Sequence, residues 1–415
     1  MKFDQYHISS DIKNNLAGLG FTRPTDIQFK AIPSIIRGED VLAIAQTGTG
    51  KTAAFAIPVI DKIHRFKTSK RSYGIKCIVM VPTRELALQI GEVFKSIAHH
   101  TRVKVFTLHG GVEQDAQIAK LQDGIDVLIA TPGRMFDLIH QREIRLEGVS
   151  TLVLDEADHM LDLGFIDDIT FIKKMLVNRH QTLFFSATIS DEIKKLAYSQ
   201  VKSAAIRIQV SPKDRVSKNI SHFVMFVGMD DKRLFLEHFL QDHATEKVMV
   251  FVRTRVRAER VVKAMARVGI VAESIHGDKD QQQRSAAMQH FRDGVCRVLV
   301  ATDVSARGID VADVAYVINY DLPEKVENYV HRVGRTGRGV NRGEAIAFCS
   351  EEERPLLAAI EVFLAQPIAV ISVGKKDYAE VVATTDKAAL DLKALVAEHE
   401  AWLQGAGKKK RRGKC

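Results

Sequence analysis

The sequence predicts an α/β protein of two tandem, doubly wound domains, each built on a parallel sheet, with a short helical and basic C-terminal extension. Three observations carry this. The chain has 415 residues, 46% hydrophobic and 27% charged, a length that exceeds one ordinary domain and suits two with extensions. Near-continuous apolar runs alternate with amphipathic stretches, as expected for parallel strands covered by helices on both faces. The alternation stops once, in a polar stretch containing Pro212, and then restarts.

The first series of runs is VLAIA (41–45), CIVMV (77–81), DVLIA (126–130), TLVLD (151–155) and TLFFS (182–186). Segments between them, such as 85–98, repeat apolar residues at helical spacing. Residues 1–207 are therefore assigned to the first domain and the polar stretch 208–219 to a linker. The second series is HFVMFV (222–227), VMVFV (248–252), RVLVA (297–301), AYVIN (315–319) and EAIAFC (344–349), giving a second domain over 220–372. Ligand sites are expected at the C-terminal strand ends and in the cleft between the domains. In the helical extension, 373–404, Leu390, Leu392, Leu395, Val396, Trp402 and Leu403 fit one helix, which either packs on the second domain or meets a partner. Residues 405–415 form a basic tail with little apolar material to bury, so disorder is expected there.

The 60 basic and 51 acidic residues leave a net charge of +9, which suggests a polyanionic partner. Six of those cations are Lys408, Lys409, Lys410, Arg411, Arg412 and Lys414, so residues 1–407 carry only +3. The body is nearly balanced and the excess sits in the tail. Cys77, Cys296, Cys349 and Cys415 form no CxxC pair, which fits a reducing cytoplasm. The N-terminus has no apolar signal region, and no run of about 18 uninterrupted apolar residues occurs, so neither a secretory signal nor a membrane span is expected.

Chemistry concentrates in three places. Ala45-Gln46-Thr47-Gly48-Thr49-Gly50-Lys51-Thr52 follows an expected strand and opens an expected helix, the setting of a phosphate loop. Gly48 and Gly50 let backbone N–H groups approach phosphate oxygens, Lys51 brings charge to the β- and γ-phosphates, and the Thr52 hydroxyl can ligate Mg²⁺. Ala45 stands where the strict pattern begins with glycine. Asp155-Glu156-Ala157-Asp158 ends an apolar run on the same sheet edge, so Asp155 is read as holding Mg²⁺, largely through water, and Glu156 as orienting or deprotonating the attacking water. His331-Arg-Val-Gly-Arg335-Thr-Gly-Arg338 spaces three arginines by three. Such guanidinium groups can neutralise a transferred phosphoryl group in a neighbouring site or contact RNA phosphates, and spacing alone does not separate the two.

With these in view, the chain resembles a DEAD-box ATP-dependent RNA helicase of bacterial type, a superfamily 2 ATPase with two RecA-like domains, with motifs in the family's order over residues 20–338. Gly20 to Gln28 resembles the Q motif, which implies that Phe21 stacks on adenine and Gln28 reads its edge; Phe3 matches the upstream aromatic, and Asp26 stands where the family usually has proline. Pro82-Thr-Arg84-Glu-Leu-Ala87, Gly110-Gly111 and Thr131-Pro-Gly133-Arg134 resemble motifs that hold the RNA backbone. Ser186-Ala-Thr188 resembles motif III, which couples nucleotide state to closure, and Asp158 and His331 are grouped with it. In the second domain the resemblance implies RNA contacts from Arg253, Gly277, Arg284 and Thr302, a ribose contact from Asp310, arginine fingers at Arg335 and Arg338, and a supporting role for Arg332.

The resemblance further implies RNA-stimulated ATP hydrolysis, coupled to interdomain closure and to local, non-processive unwinding or remodelling of RNA duplexes or RNA–protein complexes. ATP and Mg²⁺ are the expected cofactors. The expected partners are single-stranded RNA in the cleft and proteins of ribosome assembly or RNA decay, for a cytoplasmic monomer without membrane attachment. Aromatics make up 7% of the chain, and none interleaves with Arg84, Arg134 or Arg284, so RNA is expected to be held by its backbone rather than by base stacking. A DNA translocase on the same scaffold and an ATP-gated RNA clamp are the alternatives.

Overall fold

The computed structural model describes residues 2–46, 48–68, 74–210, 219–306, 311, 313–337, 342–372, 374, 378–379 and 381. The first sheet contains β1 (Val41–Ala45), β2 (Cys77–Met80), β3 (Val105–Leu108), β4 (Val127–Ala130), β5 (Thr151–Leu154), β6 (Gln181–Ser186) and β7 (Ile206–Val210). They lie in the order β3-β4-β2-β5-β6-β1-β7, every neighbouring pair parallel. The second sheet contains β8 (Ile220–Phe226), β9 (Lys247–Phe251), β10 (Ala272–Ile275), β11 (Val298–Ala301), β12 (Val314–Asn319), β13 (Gly343–Cys349) and β14 (Ala369–Val370). Its order, β10-β11-β9-β12-β13-β8-β14, repeats the first strand for strand, and it too is parallel throughout.

Residues in β1, β2, β4, β5 and β6 are all buried, because helices cover both faces. Phe184 and Phe185 show how one strand serves two cores: Phe185 packs with Phe55 and Phe94 on one face, and Phe184 with Met135 and Met160 on the other. Each such ring contributes roughly 1.5–3 kcal/mol on burial.

Two boundaries differ from expectation. β7 continues to Val210, three residues beyond 207, with Ile208 paired to Ala43 and Val210 to Ala45. Its alternation of buried Ile208 with exposed Arg207 and Gln209 is that of a half-covered edge strand, which resembles linker composition. The extension also begins as part of the second domain. Tyr378 and Val381 pack on its core, and the Tyr378 hydroxyl donates to Asp231 Oδ2 at 2.6 Å and accepts from Gly228 N at 2.9 Å. Linker residues 211–218, the leucine-bearing helix expected at 386–403 and the basic tail lie outside the described residues.

His222 on β8 faces the Tyr329 hydroxyl at 3.0 Å, and burial pushes its pKa down to about 4. An unfolded histidine titrates near 6.5, so protonation between these values favours the unfolded chain. This contribution is complete above about pH 6.5 and is lost as pH falls towards 4, by up to about 2 kcal/mol after allowance for partial exposure. Urea unfolding across that range checks it, with His222→Gln expected to flatten the slope.

Candidate active site

β1 ends at Ala45, and the helix Lys51–Phe66 begins after a loop whose last residue, Gly50, has φ +89°. This left-handed conformation favours glycine, and so does space: a Cβ at Gly50 would lie 2.5 Å from Gln28 Nε2. Gln28 is buried, its Nε2 donating to Gly50 O at 3.1 Å and its Oε1 accepting from Thr25 N at 3.0 Å. The second bond is half of a capping box that opens the helix Asp26–Ile36, so that helix starts properly on Asp26. Phe21 is partly buried beside Phe3, ring centroids 6.1 Å apart. Lys51 donates to Ala45 O at 2.8 Å, and Thr49 Oγ1 to Gln46 O at 2.7 Å. Gly48 also has positive φ, and Thr52 is the second residue of the helix. Thr47 lies outside the described residues.

Asp155 follows β5 directly and is 3% exposed. Burial pushes its carboxyl up to about 7 against the pull of Lys51. Glu156 adopts φ 52°, ψ 49°, a left-handed conformation that costs a non-glycine residue on the order of 1–3 kcal/mol. Burial also raises its pKa, but this is outweighed by the hydrogen bond with His159 Nδ1 at 3.4 Å and the charges of His159, Lys51 and Arg335, leaving it at about 2. The two adjacent carboxylates are thus driven apart: one resists ionisation, the other holds its charge. Asp155, a buried carboxylate that burial keeps from ionising, is a hard oxygen ligand short of positive charge, which fits Mg²⁺, and the Thr52 hydroxyl at the start of the helix offers a second oxygen. Asp158 ties the end of β5 to that of β6, its Oδ2 accepting from Ala187 N at 3.2 Å, Thr188 N at 2.9 Å and Thr188 Oγ1 at 3.0 Å. Ser186 Oγ donates to Thr188 O at 2.9 Å.

From the second domain comes Arg335, 4% exposed, its Nε donating to His331 O at 3.0 Å and its charge acting on Glu156. Arg332 is turned inward, binding both Asp303 oxygens. The domains also meet through Lys325 Nζ and Asp162 Oδ1 at 2.7 Å. Arg338 and Asp310 lie outside the described residues.

A second cluster gathers Arg84, Arg134 and Arg284. Arg84 opens the helix Arg84–Ile97 after the Thr83 cap and rests on the glycine doublet, where a Cβ at Gly111 would lie 2.2 Å from its Nη1. Burial and then the charges of Arg284 and Arg134 push its pKa down, with Glu85 opposing. Arg134 donates to Gln117 Oε1 at 3.0 Å and Val112 O at 3.2 Å, while Arg284 reaches across the domains to Glu85 at 2.8 Å. Beside them opens an interdomain cavity of about 670 Å³, lined by His109, Gly111, Arg134, Gln281 and Ser285 among others. Pro82 and Thr131 are buried at strand ends, Gly133 and Gly277 are exposed, and the buried Thr302 hydroxyl lies 3.4 Å from Ser305 Oγ.

Arg253, expected as an RNA ligand, also serves the fold. Its guanidinium lies against Glu353 at 3.3 Å and Glu324 at 3.8 Å, with a third of the side chain still exposed. Sequence reasoning gave no role to Glu85, although it lies inside the motif at 82–87, or to His159, whose i+3 spacing from Glu156 was the available signal.

A phosphate loop, a strand-end carboxylate pair and a buried arginine from a second sheet of the same topology define a two-domain nucleoside triphosphatase whose site is completed by domain contact. The DEAD/DEAH box helicase family profile matches residues 25–196, and that of the helicase conserved C-terminal domain matches 231–340. The DEAD-box ATP-dependent RNA helicase CshA of Bacillus subtilis (strain 168) is 41% identical over 359 residues, covering 86% of this chain and 72% of the relative. The chain belongs to the DEAD-box ATP-dependent RNA helicase family and is an ATP-hydrolysing enzyme.

S. cerevisiae Dbp5 bound to RNA and ADP BeF3 superposes with a TM-score of 0.82 at 28% identity, over 93% of this chain and 99% of that one. A DEAD box protein from the hyperthermophile Methanococcus jannaschii gives 0.52 at 34% identity, over 90% and 99%. No helix among the described residues is long and apolar enough to cross a membrane.

Proposed function

We propose that this enzyme couples ATP hydrolysis to closure of its two domains on single-stranded RNA, and that closure locally and non-processively separates or remodels RNA structure. The observation that carries this is the split of the site: Lys51 and both carboxylates belong to the first domain and Arg335 to the second, and the two meet through Arg284–Glu85 at 2.8 Å and Lys325–Asp162 at 2.7 Å. Neither domain holds a whole site, so hydrolysis waits on closure. Gln28 and Phe21 take the adenine, Gly48 to Thr52 the phosphates, and Asp155 with Thr52 the Mg²⁺. Bound Mg²⁺ supplies positive charge to the phosphate oxygens. Glu156, ionised at neutral pH, takes the proton of the attacking water.

The RNA backbone lies along Arg84, Gly111, Arg134 and Arg284, where three guanidiniums gather and outnumber the carboxylates of Glu85 and Glu113. Asp158, Ser186 and Thr188 transmit nucleotide state because Asp158 binds the β6 end to the helix that starts at the catalytic carboxylate. The enzyme works as a monomer in the cytoplasm. Support for the RNA reading comes from the likeness to the RNA-bound yeast structure.

Glu156→Gln tests the reading, since it keeps the binding groups and removes the base. ATP turnover should fall by about 10²-fold or more, while RNA, once bound with ATP, dissociates correspondingly slowly in a chase experiment. Release of RNA at the wild-type rate would refute the role of Glu156.

A further inference from the structure

Because the two sheets share one strand order, each position at the first sheet's nucleotide edge has a counterpart in the second. β1 leads through a loop to a helix whose first residue is Lys51; β8 leads through a loop to the helix Lys232–Asp242, whose first residue is Lys232. Lys51 binds a carbonyl at the sheet edge and acts on Asp155, just past β5. Lys232 is fully buried, donates to Tyr320 O at 2.7 Å just past β12, the counterpart of β5, and lies 3.8 Å from Asp321 Oδ1.

The second edge is filled. Glu353, 2% exposed, enters from the 3-10 turn Glu351–Glu353 after β13 and sets its carboxylate on Lys232 Nζ. The same carboxylate accepts from Ser350 N at 3.1 Å, Ser350 Oγ at 3.3 Å, Leu322 N at 3.2 Å and Arg253 Nη2 at 3.3 Å. A capping box explains the Ser350 bonds. It does not explain a buried lysine, an arginine and a distant backbone amide converging on the same two oxygens. That donor set, with a lysine at a helix start, is what proteins offer a phosphate.

We propose that the second domain carries an oxyanion site built on the plan of the first domain's phosphate site, and that Glu353 is its resident anion. Its ligand class is a small oxyanion, carboxylate or phosphate, supplied here from within the chain. Filled in this way, the site takes no nucleotide. It also braces the segment 319–322: Arg253 N and Arg257 Nη1 bind Asp321 at 2.9 and 2.8 Å, and Arg332 Nη1 binds Asn319 Oδ1 at 3.1 Å and Asp321 O at 2.6 Å.

Glu353→Ala in the full chain leaves Lys232 and Arg253 around a carboxylate-sized space. Its unfolding temperature should fall by roughly 5–15 °C. Inorganic phosphate or acetate, titrated against chloride at constant ionic strength, should then raise it saturably. The wild type has the same first-domain phosphate loop and so accounts for any phosphate taken there. Adding Lys232→Met to Glu353→Ala should abolish the rescue. An equal response of Glu353→Ala to phosphate, acetate and chloride would overturn the proposal. If the alanine variant does not fold, Glu353→Gln, which keeps the volume and loses the charge, decides. A drop of about 5 °C or more supports the proposal, and a smaller one overturns it.

Discussion

Arg335→Ala is expected to lower RNA-stimulated ATP turnover by about 10³-fold or more while ATP affinity changes little. The asymmetry follows from where the two halves of the site lie. Gln28, Gly50, Lys51 and Asp155 are all at the edge of the first sheet, so the ground-state contacts to nucleotide survive the substitution. Arg335 comes from the second domain, and its charge reaches Glu156 only because the domains are together. A group present only in the closed site stabilises charge that develops in the transition state, and its loss is felt in kcat rather than in binding. Hydrolysis at saturating RNA measures the first quantity and titration with a fluorescent nucleotide the second. Arg335→Lys should recover only part of the rate, since a lysine restores a point charge without the planar fork. Full turnover in the alanine variant would sink the assignment, and a loss of ATP affinity equal to the loss of rate would make Arg335 a binding residue instead.

Most of the strands legible in the sequence are buried on both faces; β8, with Ser221 and Phe226 exposed, is the exception. β5 and β6 are continuous apolar runs because helices cover both their sides, and the same holds at the centre of the second sheet. The four that escape, β3, β7, β10 and β14, are the four edges. Edge strands carry polar residues such as Thr107, Gln209 and Glu273, which break the apolar run without breaking the strand.

The duplication was also within reach. Leu108-His-Gly-Gly111 and Ile275-His-Gly-Asp278 follow matching strands, as do Val127 to Thr131 and Val298 to Thr302, and Thr83 and Thr254 cap matching helices. Pairing across the chain is the part that spacing cannot carry. Which carboxylate meets Arg253 or Arg284 depends on how the ends of non-adjacent strands converge, and so these pairs appear only in three dimensions.

Arg332→Met is expected to destabilise the second domain by about 3 kcal/mol, the low end for breaking a buried ion pair, because Asp303 keeps some access to solvent. The side chain is 1% exposed and bonds to the fold through all three of its nitrogens. Nε and Nη2 grip both oxygens of Asp303 past β11, Nη1 reaches Asn319 and Asp321 at the end of β12, and the guanidinium lies 5.3 Å from the Phe251 ring centroid. It therefore clips three strand ends to the helix Val326–Val333, which carries His331 and leads to Arg335. Methionine fills the volume but leaves the carboxylate of Asp303 without its bidentate partner, and that remnant accounts for most of the cost.

Two variants separate this account from simple loss of packing. Arg332→Lys keeps the charge yet cannot span the ends of β11 and β12 together, so most of the loss should remain. Adding Asp303→Asn to Arg332→Met removes the stranded charge, so the pair should be less than additive by about 1 kcal/mol or more in denaturant unfolding. Strict additivity would mean that Asp303 does not depend on Arg332. RNA-stimulated turnover should fall in Arg332→Met even where the protein remains folded, because the helix leading to Arg335 loses its anchor, while ATP binding to the first domain is unchanged.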